Sequence, residues 1–353
     1  MKVEPLKIGV VGARRARQGT GEYLARDLAR AGCSIRALVG TSPASQAAAQ
    51  AGLRERYGIE CAAYGSLTEL LEREEIDAVV IASPPETHRE LLQESAAAGC
   101  HVLAEKPLWW SERLLEQPAA ELAAEVDALT SSLRAQGLYL HLNAQWPYTL
   151  PAFRELHPDL PAGPPQHFHM WLAPNSRGTT MVADSASHLL SMLHALAGPG
   201  ELRDVEIELE APSEGSEEAL PEALTLRAAY HHGAGACQVR FDLRRCAEVP
   251  RPAGYAIDGR EAHRRVAMPD YRLSFAAPRG ASVPLPDPLT ASVEAFVHAV
   301  RAGGGFDPRC VRDGMLQLQE LVQALASKLG GKADSLCSGS ESSGRAHEEA
   351  RDR

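Results

Sequence analysis

Residues 6–21 read LKIGVVGARRARQGTG, and their reading decides the fold. Leu6 to Gly12 is a short apolar run rich in β-branched residues that ends in glycine, the pattern of a buried parallel strand. Gly21 to Ala31 (GEYLARDLARA) then sets Tyr23, Leu24, Leu28 and Ala31 on one face with charges opposite, and stops at Gly32, as a helix does. A strand, a glycine turn and a helix N-terminus together present amide N–H groups and a positive dipole end to a pyrophosphate. The loop departs from G-x-G-x-x-G, because with Gly12 as the first glycine Arg14 and Arg17 stand where the second and third belong. Two readings stay open. In one, a longer turn uses Gly19 and Gly21 and leaves Arg14 and Arg15 to face phosphate; in the other, an ordinary α/β turn carries a solvated basic cluster.

Outward from this stretch the same grammar repeats. Strand patterns at Ser34 to Val39, Ala78 to Ala82 and His101 to Ala104 alternate with helical patterns at Ser45 to Tyr57, Leu67 to Arg73 and Thr87 to Ala98. Such alternation implies right-handed crossovers, so the fold class is α/β, with residues 1–147 forming a Rossmann-type doubly wound parallel sheet. Beyond Pro147, prolines 151, 158, 161, 164 and 165 punctuate the chain. Val205 to Glu210, Leu224 to Tyr230, Gly235 to Leu243, Arg264 to Ala267 and Arg272 to Phe275 then read as strands. They predict a second, α+β domain over residues 148–330, with an open, mostly antiparallel sheet and terminal helices at Pro288 to Ala302 and Cys310 to Leu329. Residues 331–353 are nearly devoid of apolar side chains and are expected to be a disordered tail.

Composition narrows the function classes. The 353 residues are 44% hydrophobic and 23% charged, ordinary globular usage for a two-domain chain. A net charge of −10 gives no general attraction to nucleic acid or anionic lipid. No apolar stretch approaches the roughly 18 to 20 residues of a spanning helix, and no leader pattern precedes the first strand, so cytoplasm is the expected location. Seven cysteines without CxxC pairs read as free thiols. After the second strand comes Gly40-Thr41-Ser42, with no acidic residue for a ribose 2′-hydroxyl. Thr41 and Ser42 can donate to a 2′-phosphate and Arg14 can pair with it, which favours NADP over NAD; a plain polar loop is the competing reading.

Two later segments are specific when taken together: Ser83-Pro84-Pro-Glu-Thr-His88, and Ala98-Gly-Cys-His-Val-Leu-Ala-Glu105-Lys106-Pro107. The pairing resembles the glucose-fructose oxidoreductase, inositol dehydrogenase and MocA family, whose hallmark is Glu-Lys-Pro at the end of a Rossmann strand. The likeness extends to about residue 330. It implies that Lys106 sits beside the nicotinamide and the reacting alcohol or carbonyl, that Glu105 orients the lysine or its loop, and that Ser83, Pro84 and His88 belong to the cofactor side of the site.

A third segment, residues 181–196 (MVADSASHLLSMLHAL), has apolar positions at helical spacing, which puts Asp184 and His188 on one face. It resembles the family's Asp-x-Gly-x-His motif with Ala186 in the glycine's place. Without the resemblance the favoured reading is an N-cap aspartate with a partly buried histidine. His167-Phe-His169 alternates as a strand would, with no third ligand at metal spacing, so no metal site is expected. His169 and Trp171 are expected to line a substrate pocket, as the first strand of the second domain does in the family. Trp146 joins them, where Gln145-Trp146 departs from the family's Asn-Tyr-Arg-like segment.

The expected protein is thus an NADP-dependent oxidoreductase, with NAD as the alternative cofactor, acting on a hydroxyl or carbonyl of a small polar substrate and assembling as a homo-oligomer. Lys106, Asp184 and His188 are its catalytic candidates. A cofactor-recycling glycosidase or lyase, and a non-catalytic NADP-binding regulator, are the alternatives on the same scaffold.

Overall fold

The computed structural model describes residues 4–14, 19–210, 220–268 and 270–330. Arg15, Arg17 and the expected disordered tail lie outside them.

Six strands form the first sheet: β1 (Lys7–Val11), β2 (Ser34–Val39), β3 (Ala62–Tyr64), β4 (Ala78–Ile81), β5 (His101–Glu105) and β6 (Leu140–Asn143). All neighbours run parallel, in the order β3-β2-β1-β4-β5-β6. Their crossovers contain α1 (Gly21–Arg30), α2 (Pro43–Tyr57), α3 (Leu67–Arg73), α4 (His88–Ala97) and α5 (Ala119–Ala135). The order reverses between β1 and β4, and the crevice at their carboxyl ends is where such sheets bind ligands. Two of these helices start where side chains satisfy their first amides: Ser42 and Ser45 form a reciprocal capping box on α2, and Ser66 caps α3.

Among the described residues the second sheet has eight strands. After α6 (Leu150–Leu156) come β7 (His167–Leu172), α7 (Gly178–Ala197), β8 (Gly200–Leu209), β9 (Ala223–His232), β10 (Gly235–Arg244), β11 (Ala253–Ile257), β12 (Arg260–Ala267), β13 (Arg272–Ala276) and β14 (Ser282–Pro284). The order is β14-β13-β12-β11-β7-β10-β9-β8, antiparallel throughout except where β10 meets β7. Strand β11 escapes a sequence reading because Gly254 and the nearby prolines look like a turn. Gly254 is instead an interior position where a Cβ would lie 2.5 Å from the Trp171 ring and 2.3 Å from the Ala262 carbonyl oxygen.

One face of this sheet packs inward. Phe168 and Met170 of β7 are buried, Tyr255 of β11 pairs with Met170, and Tyr255 stacks on Phe153 of α6 with centroids 4.7 Å apart. His167, His169 and Trp171 alternate to the other face.

The last two helices are α8 (Pro288–Arg301) and α9 (Pro308–Lys328). Sequence position puts α8 in the second domain, but it packs on the first: Leu289, Val293, Phe296, Val297 and Val300 join Ile8, Val10, Leu24 and Leu28 in one apolar cluster. The stripe recurs every three to four residues and finds its apolar partner on α1 and the sheet beneath it. Val293 and Phe296 are fully buried, each worth roughly 1.5–3 kcal/mol. Asp27 of α1, itself buried, accepts a hydrogen bond from Thr290 Oγ1 at 2.9 Å. Helix α9 lies against α7 and α5 and so touches both halves.

Buried histidines give this packing an acid dependence. His141 of β6 is 2.9 Å from Ser292 Oγ of α8, and burial pushes its pKa down to about 4. Burial does the same to His194 of α7, to about 4. Unfolded, both take a proton near 6.5, so between these values the unfolded chain binds more protons and stability falls as pH falls. Urea melts at pH 7 and pH 5 should differ by about 2 kcal/mol for each histidine, and His141→Gln should remove its share. Equal midpoints at the two pH values would contradict this.

Candidate active site

At the crevice, two glycines are where the backbone admits nothing larger. Gly12 has φ +85°, and a Cβ there would lie 2.6 Å from the Ala82 carbonyl carbon and oxygen and 2.7 Å from Ser83 N. Gly21, the first residue of α1, brings the helix so close that a Cβ would sit 2.2 Å from the Gly12 carbonyl oxygen. These two contacts do the work of the first and third fingerprint glycines across a longer turn. The start of α1 has no side-chain cap, and Arg14 is exposed beside it.

Side-chain hydrogen bonds brace the loops around the crevice. Glu105 Oε1 accepts from Thr20 Oγ1 and from Asn143 Nδ2, each at 2.6 Å, tying the glycine turn and the end of β6 to β5. His88 was expected to face the cofactor; it is 0% exposed instead. Its Nε2 is 2.8 Å from the Ser83 carbonyl oxygen, and its Nδ1 is 3.0 and 3.2 Å from those of Pro107 and Leu108. As the first residue of α4 it turns inward and fastens one motif loop to the other. Ser83 and the exposed Pro84 remain at the mouth of β4, with Ser83 Oγ 2.7 Å from Thr87 Oγ1.

Lys106 leaves the end of β5 and reaches across to α7, where its Nζ donates to the main-chain oxygen of Asp184 at 2.7 Å. The lysine thereby meets the helix that carries His188 one turn further on. The contact is to the Asp184 carbonyl oxygen, while the Asp184 carboxylate is exposed. Burial first, then the charges of Lys106 and Arg264, holds the His188 imidazole well below its ordinary pKa, so it is neutral and able to accept a proton. Its Nδ1 is inaccessible and has no hydrogen-bond partner among the described residues. Ala186 is fully buried on the same helix.

Trp146, 6% exposed, walls the histidine, edge to face with centroids 6.5 Å apart, and meets Tyr255 in the same manner at 6.0 Å. His169 and Trp171 do not join it. Strand alternation carries both to the outer face of the second sheet, where His169 Nε2 is 2.7 Å from Asp242 Oδ2 and Trp171 packs beside His263. The expectation that they line the pocket is therefore corrected. The inward-facing residue missed from the sequence is Arg264 of β12, whose guanidinium lies 5.8 Å above the Trp146 ring. Period-two reading of Ala262, Arg264 and Val266 was the available signal, since Ala262 is fully buried.

The residues fit a dinucleotide. The Gly12–Gly21 approach brings the N-terminus of α1 against the turn after β1, α1 begins there without a side-chain cap, and Thr41 and Ser42 stand exposed after β2 with no carboxylate among them. Among the described residues no group of three or more His, Cys, Asp or Glu side chains is placed to hold a metal ion, and no helix is long and apolar enough to cross a membrane.

Comparison with known proteins agrees with this geometry. The model of an oxidoreductase family with an NAD-binding Rossmann fold matches residues 6–143. An uncharacterized oxidoreductase of Synechocystis is 30% identical over 152 residues, which span 39% of this chain and 39% of that protein, so well under half of this relative is matched. The inositol 2-dehydrogenase of Leifsonia xyli is 26% identical over 308 residues, 84% of this chain and 86% of that one. Among solved structures, UDP-N-acetylglucosamine 3-dehydrogenase from Acidithiobacillus ferrooxidans superposes with a TM-score of 0.65 at 23% identity, covering 92% of this chain and 99% of its own. Residues 6–143, which carry the Glu105-Lys106-Pro107 motif at the end of β5, are thus similar to the Gfo/Idh/MocA family of oxidoreductases.

Proposed function

We propose that the chain is an NADP(H)-dependent oxidoreductase that interconverts a hydroxyl and a carbonyl on a small polar substrate of the sugar or cyclitol kind. The observation that carries this reading is the Lys106 Nζ to Asp184 oxygen contact of 2.7 Å, which joins the mouth of the dinucleotide crevice to the helix bearing His188. A bound nicotinamide supplies the acceptor or donor of the hydride. In oxidation the neutral His188 takes the hydroxyl proton as the C–H bond breaks, and the Lys106 ammonium stabilises the negative charge that develops on oxygen. Asp184, one turn before His188 on the same helix, positions the substrate or the imidazole. Reduction runs the same steps backwards.

Trp146 gives the reacting carbon an aromatic wall that excludes water from the histidine. Retention of all three polar groups favours an enzyme over a regulator. The preference for NADP rests on Gly40-Thr41-Ser42 after β2, where a carboxylate that would repel a 2′-phosphate is absent, and on the exposed Arg14. A second copy of the chain is the proposed partner, held through the open second sheet.

The test is a titration of the purified protein with NADPH and, separately, NADH, followed by nicotinamide fluorescence. NADPH should bind at least tenfold more tightly, and Arg14→Ala should remove most of that difference. Equal affinities would overturn the NADP preference, and failure to bind either dinucleotide would overturn the oxidoreductase reading itself.

A further inference from the structure

Arg264 is a cation placed where the fold itself does not use it fully. It sits on the inward face of β12, opposite Phe275 of β13 in the antiparallel register, with its guanidinium over the Trp146 ring. Its Nη2 donates to the main-chain oxygen of Arg251 at 3.0 Å, and its Nε–H is buried with no partner. Among the described residues no carboxylate lies within 4 Å of its guanidinium, or of the Lys106 ammonium. The charges of Lys106 and Arg264 therefore add rather than cancel, since both act on His188. A buried cation left without a counter-charge is costly, and an orphaned buried donor adds to that cost. Inward-facing arginine in an otherwise aromatic layer is thus not explained by stability.

We propose that Arg264 binds the substrate, and that the substrate carries an oxyanion, a carboxylate or a phosphate ester, on the part of the molecule away from the reacting carbon. The proposal rests on the oxidoreductase reading above for the position of the reacting carbon. His188 and Arg264 flank the same indole: the imidazole stands edge-on to it at 6.5 Å and the guanidinium lies over it at 5.8 Å. A substrate ring laid against Trp146 would offer its carbinol to His188 and its anionic group to Arg264. The unpartnered Nε–H then gains an acceptor, and the anion supplies the counter-charge that the protein withholds. An uncharged polyol satisfies the donor but leaves the charge uncompensated, so such a site discriminates against it.

The experiment is calorimetric binding to the full chain, with and without saturating reduced dinucleotide, using D-glucuronate, D-glucose 6-phosphate and D-glucose as probes. At least one anionic probe should bind ten or more times as tightly as glucose, and which of the two does so identifies the oxyanion. Arg264→Gln should erase that preference, whereas Arg264→Lys, which keeps the charge and loses the planar fork, should keep part of it. Equal binding of all three probes, no binding of any, or a preference intact in Arg264→Gln would overturn the proposal. Dinucleotide titration of the same samples checks that each variant is folded. If neither dinucleotide binds the wild-type chain, the oxidoreductase reading falls, while the comparison of charged and neutral probes is still read directly.

Discussion

Lys106→Ala should lower turnover of any substrate the wild-type protein accepts by about a thousandfold, with dinucleotide affinity changed no more than a few fold. Its ammonium is held by the Asp184 carbonyl oxygen at 2.7 Å, so the charge is delivered to a fixed point beside His188. In the proposed reaction that point is where negative charge accumulates on the substrate oxygen, and a preorganised cation there favours the transition state over the ground state. The loss should therefore appear in kcat as well as in kcat/KM. Removing the lysine also removes one of the charges that keep the imidazole neutral, so the acidic limb of the pH profile should move upward in the residual activity. Turnover within a few fold of wild type would remove Lys106 from the mechanism.

The second large effect is expected at Gly21. In Gly21→Ala the new methyl would fall 2.2 Å from the Gly12 carbonyl oxygen and 2.9 Å from its carbon, both backbone atoms with no rotamer by which to retreat. The start of α1 must then withdraw from the turn after β1, and the amides that face the pyrophosphate move with it. Dinucleotide affinity should fall by about a hundredfold or more, and overpacking should cost about 1–3 kcal/mol of stability. Gly58→Ala separates the two effects. Its φ is +67° and a Cβ there meets nothing within 4 Å, so it should cost about 1 kcal/mol through backbone strain and leave affinity unchanged. Wild-type affinity in Gly21→Ala would show that the loop binds no dinucleotide through this approach.

How far such results could be anticipated depends on which interactions are local. The parallel sheet is legible because its central strands β1, β4 and β5 are buried on both faces and read as apolar runs, whereas β3, three half-buried residues at the sheet's edge, carries no such run and was not anticipated. The motifs around Lys106, Asp184 and His188 mark them as candidates, and the structure joins Lys106 to the Asp184 main-chain oxygen on the helix that carries His188. What the sequence hid is long-range. The alternation of Ala262, Arg264 and Val266 gives Arg264 a face but not a neighbour, because its environment is made by Trp146, from 118 positions earlier in the chain. His169 and Trp171 were misassigned for the converse reason: alternation along β7 was read correctly, but which face met α7 is set by the pairing with β10 and β11. His88 failed differently again. A histidine beside a strand end suggests a ligand contact, and only the tertiary structure shows its two nitrogens spent on three main-chain oxygens.

Helix α8 has a bearing on how such a protein can be taken apart. The chain leaves the nucleotide-binding half after β6, returns to it with residues 288–301, and departs once more into α9. The half that carries the crevice is therefore assembled from two separated pieces of gene. A fragment ended near residue 147 would expose the patch formed by Leu24, Leu28 and Ile8, which Val293 and Phe296 cover in the whole chain. Exchange of this half between relatives consequently requires two grafts made together, and a single crossover near residue 147 would pair one parent's patch with the other parent's lid.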